Sequence, residues 1–181
     1  MRVINEGLIY TTSSLIQKAI PFILLPILTR LFSVEEYGML AIFSVVMTLY
    51  SVLIGGSLHG FIRVIYHKST TKEFNKYIGN ALTLYLALSL VAYTMTLLFE
   101  SKLSHLFGLE ANYLYLALFV AFSKFIFNLR LVIFQTMRQA FCFAKLQLTL
   151  PIIELLLVIF LVLYLYKSLE GRVLSIVIAN F

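Results

Sequence analysis

The chain has 181 residues, of which 61% are hydrophobic and 12% charged, whereas soluble domains carry roughly 25% charged residues. This composition argues against a soluble enzyme or binding domain and indicates a membrane protein. In a membrane protein, a net charge of +6 is explained by basic residues that orient the chain in the bilayer and contact anionic lipid. The charge therefore does not imply a nucleic-acid partner. A single cysteine, Cys142, excludes an internal disulfide and a cysteine metal cluster.

The first hydrophobic span covers residues 8–31, which exceeds the roughly 20 apolar residues that a bilayer crossing needs. Lys18 lies near its middle. A lysine at that depth costs roughly 2.5–3.5 kcal/mol on insertion scales, so we expect it to face a bundle interior or a watery cavity. A signal peptide has a basic leader and an uninterrupted apolar core, whereas here Glu6 lies in the leader and Lys18 in the core. We therefore predict that this helix is retained.

Four more hydrophobic spans follow, and a sixth begins near the end of the sequence. Ser33 is the predicted N-cap of the second helix, with Glu36 as its capping-box partner. The sixth stretch covers only about 15 Å, half a bilayer core. We therefore expect an all-α polytopic membrane helix bundle, with 1–181 as one transmembrane domain truncated within helix six. The later spans are predicted at 37–64, 77–99, 112–136 and 146–166, with the sixth at 172–181, and polar connectors at 67–76, 100–112 and 166–172.

Basic residues in the connectors predict a cytoplasmic N-terminus. By the positive-inside rule, the side with more lysine and arginine faces the cytoplasm. The N-terminal side has seven such residues and the opposite side four. The two sets are Arg2, Arg63, Lys68, Lys72, Lys76, Arg138 and Lys145 against Arg30, Lys102, Lys167 and Arg172.

Several predicted spans carry polar residues at helical spacing, which places them on one face of a helix. In the second span this pattern of small residues is typical of close helix packing. The fourth span repeats polar groups along one face, and Arg130 lies on another flank. The stripes are Ser44, Thr48, Ser51 and Gly55 in the second span, Asn80, Thr83, Ala87 and Thr94 in the third, and Lys124, Asn128, Leu131 and Gln135 in the fourth.

Charged residues inside the spans favour a cationic cavity. Lys18, Lys124 and Arg130 outnumber the one intramembrane acid, Glu154. A structural pair between one of the two lysines and Glu154 is the alternative interpretation, but it leaves a positive surplus. Fixed positive charge would offset the loss of hydration when an anionic passenger leaves water.

Motifs for covalent chemistry are missing from the sequence. We find no phosphate-binding glycine loop, no HExxH, no paired aspartates at metal spacing and no serine nucleophile motif. The sequence therefore predicts no enzyme activity, no catalytic residues, no metal site and no cofactor.

Five short stretches resemble polysaccharide flippases of the Wzx type, which belong to the multidrug/oligosaccharidyl-lipid/polysaccharide exporter superfamily. The most specific is residues 26–38, a proline, apolar residues, an arginine and an acidic turn that ends in Tyr-Gly. The similarity spans the whole chain. The others are Gly55-Gly56 followed by Arg63, Met137-Arg138-Gln139, Ala144-Lys145 and Leu169-Glu170-Gly171.

The resemblance implies two six-helix lobes around a central cavity, with alternating access between the two sides of the membrane. Such proteins move undecaprenyl-diphosphate-linked oligosaccharide across the bacterial inner membrane for O-antigen and other surface polysaccharides, without using ATP. Lys18, Lys124 and Arg130 would then offer positive charge to the diphosphate, and Arg30 and Arg63 would hold gates at opposite faces. The chain corresponds to the N-terminal lobe, so the expected partner is a missing C-terminal half or a second copy.

Three alternatives stay open at this point. A cation-coupled drug or small-solute antiporter of the same superfamily would use Glu154 as its coupling group, although its cavity should be acidic. A non-transporting membrane scaffold subunit of a glycan-assembly complex would need no cavity. A membrane-embedded glycosyl- or acyltransferase would need a His/Asp catalytic pair in the loops, and none is evident.

Overall fold

The computed structural model describes residues 2–55, 58–160 and 169–180. It is all-helical, which confirms the predicted fold class. The helices are α1 (Arg2–Leu31), α2 (Val34–Gly55), a short 3₁₀ helix (Leu58–Phe61), α3 (Ile62–Lys68), α4 (Thr71–Leu98), α5 (Glu100–Phe107), α6 (Ala111–Thr136), α7 (Ala140–Phe160) and α8 (Leu169–Ala179).

Five helices among the described residues are long and apolar enough to cross a membrane: α1 from Glu6 onward, α2, α4, α6 and α7. They match the five predicted spans in order, and the chain is a membrane protein. The fifth span was predicted to start at residue 146, but α7 begins six residues earlier, at Ala140. Its predicted end, beyond residue 160, lies outside the described residues.

The second span was predicted too long. It was expected over 37–64, but α2 ends at Gly55 and the chain continues in the 3₁₀ helix and α3. Glycine is among the least favourable residues in a helix interior, and two follow one another here. Gly56 and Ser57 themselves lie outside the described residues.

A helix also replaces a predicted loop. Residues 100–112 were expected to be irregular, but they contain α5. Gly108 ends this helix with a φ of 64°, the left-handed conformation that glycine adopts without steric cost. This short helix follows directly on α4, which is long and apolar enough to span a membrane.

Two helices start with the same capping device. The backbone N–H of Ser33 donates to Glu36 Oε2 at 2.9 Å, and the N–H of Glu36 donates to Ser33 Oγ at 3.2 Å. This confirms the predicted capping box. Thr70 and Glu73 repeat it at the start of α4, so the connector predicted over 67–76 is shorter than expected.

The chain divides into two compact units. The first unit comprises residues 1–41 and 137–181, in which α7 packs against both α1 and α8. The second unit comprises residues 42–136, in which α6 packs against α3, α4 and α5. Each has its own buried core: Leu24, Phe143, Val158 and Val173 in the first unit, and Phe43, Ile54, Tyr85, Leu114 and Val120 in the second.

Candidate functional site

Gln147 is the centre of a polar network between α1 and α7 in the first unit. Its side chain is only 7% exposed. Its Oε1 accepts a hydrogen bond from Ser13 Oγ at 2.9 Å, and its Nε2 donates to Gln17 Oε1 at 2.7 Å and Ser14 Oγ at 3.3 Å. Polar groups on neighbouring helices bond to one another in hydrocarbon because water is not there to do so. The network therefore joins α1 to α7 at membrane depth.

Ser13 and Gln17 were not among the candidate residues predicted from the sequence. A signal for them exists in the sequence. Ser13 and Gln17 are four residues apart, so they lie one above the other on the same face of α1. Two adjacent serines and a glutamine one turn later present a polar surface to α7.

A second polar contact joins α7 to α8. Arg172 Nη1 lies 2.8 Å from Glu154 Oε1, and the two side chains are 12% and 25% exposed. Arg172 Nη1 also donates to Ser175 Oγ at 3.3 Å. Nε of Arg172 is buried and has no hydrogen-bond partner among the described residues. The structure thus pairs Glu154 with Arg172 rather than with Lys18, and it places Arg172 within α8 rather than in a connector.

Lys18 and Arg30 lie on the surface of α1. Both are exposed. Lys18 follows Ser14 by one turn, so it lies next to the Gln147 network without joining it. Arg30 is in the last turn of the helix, where its charge favourably complements the helix dipole.

The second unit holds Lys124, Arg130 and Arg63. Lys124 is half-buried, with Nζ 3.4 Å from Met47 Sδ on α2. Arg130 is exposed on another flank of the same helix. Arg63 Nη2 donates to Gln135 Oε1 at 2.5 Å, so the residue predicted to be a gate ties α3 to α6.

The six predicted site residues are divided between the units. Lys18, Arg30 and Glu154 belong to the first unit, and Arg63, Lys124 and Arg130 to the second. Within the units, the structure brings Glu154 to Arg172 and Arg63 to Gln135. The cationic cavity formed by Lys18, Lys124 and Arg130 stays a prediction.

In the stripe of small residues on α2, the structure shows a packing role for Gly55. Thr48 and Ser51 donate their hydroxyl hydrogens to carbonyl oxygens of their own helix, at 2.8 Å each. Gly55 is buried against Phe125 of α6, and a Cβ placed on it would come within 2.9 Å of the ring. The glycine therefore leaves room for the Phe125 ring against α2.

The polar stripe on α4 faces outward. Its four positions are exposed, and the hydroxyls of Thr83 and Thr94 donate hydrogen bonds to carbonyl oxygens of the same helix at 3.0 and 2.9 Å. The opposite face is buried in the core of the second unit, so the stripe contributes nothing to that core. The exposed positions are Asn80, Thr83, Ala87 and Thr94, and the buried ones are Ala81, Tyr85, Ser89 and Thr96.

Comparison with known proteins identifies relatives over nearly the whole chain. A protein of the Lsg locus of Haemophilus influenzae is 25% identical over 181 residues, covering 99% of this chain and 43% of the relative. An uncharacterized membrane protein of the same organism is 27% identical, covering 99% of this chain and 42% of the relative. The chain thus spans less than half the length of either.

No solved structure gives a significant match. The family described as "Polysaccharide biosynthesis protein" matches residues 3–181. The first-loop resemblance at residues 26–38 is consistent with that match. The chain therefore belongs to the polysaccharide biosynthesis protein family, to which the Wzx-type flippases belong.

Proposed function

We propose that this chain is part of a flippase that moves undecaprenyl-diphosphate-linked oligosaccharide across the bacterial inner membrane for surface polysaccharide synthesis. The observation that carries the proposal is the family match over residues 3–181. The five helices that can span a membrane support it, because translocation of a lipid-linked glycan requires a path through the bilayer.

The exposed cations on spanning helices fit an anionic passenger. Lys18 and Arg130 are exposed on α1 and α6, where direct contact with hydrocarbon would be costly. A water-filled path that a diphosphate enters would remove that cost. Lys124, half-buried on α6, would add a third positive charge, and Arg30 and Arg63 would act as gates.

Export of glycan by variants of the full-length protein tests the three cations. Lys18→Ala, Lys124→Ala and Arg130→Ala should each abolish export while protein abundance stays near normal, because removing a cavity charge spares the fold. Lys145→Ala, an exposed lysine near the start of α7, is the matched control and should export normally. Normal export by all three variants would refute this site, and loss of abundance would assign the residue a structural role.

The proposal includes a second lobe. The chain covers 43% and 42% of its two relatives, which supports a pathway completed by a C-terminal half or a second copy. Complementation of a flippase-deficient strain tests this, with residues 1–181 expressed alone or with the C-terminal half of a relative. We expect surface glycan only with a partner. Full surface glycan from a monomeric 181-residue chain would show that one lobe suffices.

The proposed orientation puts the N-terminus in the cytoplasm. In a Cys142→Ser background, Lys72→Cys should be shielded from a membrane-impermeant thiol reagent in intact cells, and Lys102→Cys should react. Removing the exposed native Cys142 makes each label report one position. The opposite labelling pattern would invert the topology.

The antiporter alternative depends on Glu154 binding and releasing a coupling cation. In the structure its carboxylate contacts Arg172 at 2.8 Å, which supports a structural role instead. Glu154→Gln separates the two functions. A flippase should keep glycan export with this variant as long as the protein accumulates, whereas an antiporter should lose cation-coupled transport.

A further inference from the structure

A groove lies in the second unit between α2, α4 and α5. Its volume is about 380 Å³, which is room for roughly a dozen groups the size of a water molecule. Aliphatic and aromatic side chains make up almost all of its wall. These include Val46, Leu53, Val91, Met95, Leu103 and Phe107.

The polar atoms in the groove wall already have partners. Tyr50 and Thr96 line it, and their hydroxyl oxygens lie 2.9 Å apart in a hydrogen bond. Thr96 also donates to the carbonyl of Ala92 in its own helix at 2.8 Å, so Tyr50 is the donor between the two hydroxyls. Water is stable in a cavity only where two to four polar partners are available. The groove is therefore suited to hydrocarbon.

The short helix α5 lines part of the groove and carries a positive charge beside it. Phe99, Leu103 and Phe107 recur every four residues and all line the groove, as one face of a helix should. Lys102 is exposed, with Nζ 5.8 Å from the centre of the Phe99 ring. The adjacent acid, Glu100, accepts a hydrogen bond from Tyr115 at 2.6 Å.

We propose that the groove binds one hydrocarbon chain of an anionic phospholipid, with the headgroup phosphate next to Lys102. The apolar wall provides the site for the chain, and the lysine beside the groove provides the charge complement. The proposal does not depend on transport of glycan by this protein.

Tryptophan fluorescence can test the groove directly, because the chain has no tryptophan. Leu53 is at the groove, Leu90 on α4 is not, and both are 65% exposed. Leu53→Trp and Leu90→Trp are therefore a matched pair of reporters. The whole protein is reconstituted in vesicles containing phosphatidylglycerol or phosphatidylcholine with brominated chains, which quench a tryptophan that they touch.

We expect brominated phosphatidylglycerol to quench the Leu53→Trp reporter at about one fifth of the mole fraction that phosphatidylcholine requires. A factor of about five corresponds to one lysine near an anionic headgroup. The Leu90→Trp reporter should respond equally to both lipids. Equal responses at both positions would overturn the proposal. No quenching at Leu53→Trp by either lipid would also overturn it, since a protein segment would then cover the groove.

Two further variants link the preference to the groove and to its charge. In the Leu53→Trp background, Lys102→Gln should make the two lipids quench at equal mole fractions, so that the ratio of these fractions is about one. Lys68→Gln, at the end of α3, should leave this ratio unchanged. Ala92→Phe should fill the groove and reduce quenching to that of the Leu90→Trp reporter. An unchanged ratio in Lys102→Gln would refute the headgroup assignment. Displacement of phosphatidylglycerol by a far lower mole fraction of undecaprenyl phosphate would make a polyprenyl chain the occupant and refute the phospholipid assignment.

Discussion

In the first unit a hydrogen-bond network and an ion pair join the helices, whereas the second unit adds a stacked pair of aromatic rings to its polar contacts. In the first, Gln147 bonds to three residues of α1, and Arg172 of α8 pairs with Glu154 of α7. In the second, the ring of Tyr85 stacks on Phe125 with centroids 3.7 Å apart and planes 9° from parallel. Different kinds of side-chain contact therefore hold the helices together in the two units.

The difference shows what a membrane helix can use in place of the hydrophobic effect. Lipid tails are as apolar as leucine, so burying leucine between helices gains little. Close packing and hydrogen bonds remain, and the Gln147 network of the first unit and the Tyr85–Phe125 stack of the second are an example of each. Polar contacts depend on every partner being present, while the aromatic stack depends on Gly55 leaving room for Phe125. Four sets of variants test this contrast.

The largest effect is expected from Glu154→Ala. It leaves the guanidinium of Arg172 without its carboxylate in a largely buried site, and removing one partner of a buried pair costs about 3–5 kcal/mol. Reversible unfolding in SDS-containing mixed micelles measures the loss of unfolding free energy. The double variant Glu154→Ala/Arg172→Ala should recover part of it, and a double variant no more stable than the single one would argue against the pair.

A smaller loss is expected from Gly55→Ala. The added Cβ would come within 2.9 Å of the Phe125 ring, and shifting that ring disturbs its stack on Tyr85. Overpacking of this kind costs about 1–3 kcal/mol in unfolding free energy. Gly38→Ala on the same helix is the control, because nothing lies within 4 Å of its Cβ position. Equal stability of the two variants would contradict the close contact between Gly55 and the Phe125 ring.

Gln147→Leu should cost about 2 kcal/mol of unfolding free energy. The variant removes the bonds to Ser13, Ser14 and Gln17, and interhelical hydrogen bonds in membranes average about 0.6 kcal/mol. Thr149→Val is the control, because its hydroxyl donates to the carbonyl of Lys145 in the same helix at 2.6 Å. If the two variants lose the same stability, the network contributes nothing to helix association.

The smallest effect is expected from Tyr85→Phe. This variant keeps the stacked ring and removes only the hydroxyl, which donates to the Phe122 carbonyl at 2.6 Å. The expected cost in unfolding free energy is about 0.6 kcal/mol. Tyr85→Leu, which also removes the stack, should cost clearly more. Equal losses in the two variants would mean that the hydroxyl rather than the ring holds the second unit together.

Span number and fold class could be predicted from the sequence, because long apolar stretches allow few alternatives. The Ser33–Glu36 capping box could be predicted for a similar reason, since both partners lie within one turn. Short segments were harder. The helix α5 has only eight residues, and its polar residues suggested a loop, although its apolar side chains line a groove.

Contacts between distant helices could not be predicted residue by residue. One interpretation paired Glu154 with Lys18 or Lys124, whereas the structure pairs it with Arg172, which was assigned to a connector. Likewise, the partners of Gln147 on α1 depend on how the two helices are rotated. Helical spacing shows which residues share a face and leaves open which helix that face meets.

The chain order of the first unit has a consequence for its biogenesis. Ser13 and Gln147 are 134 residues apart, whereas the second unit is one unbroken stretch. At a synthesis rate of about 5–20 residues per second, α1 waits roughly 7–27 s for the helix that satisfies its serines and Gln17. Pairing of α1 with α7 is therefore a late event in the synthesis of these 181 residues, while the second unit can form as it is synthesised.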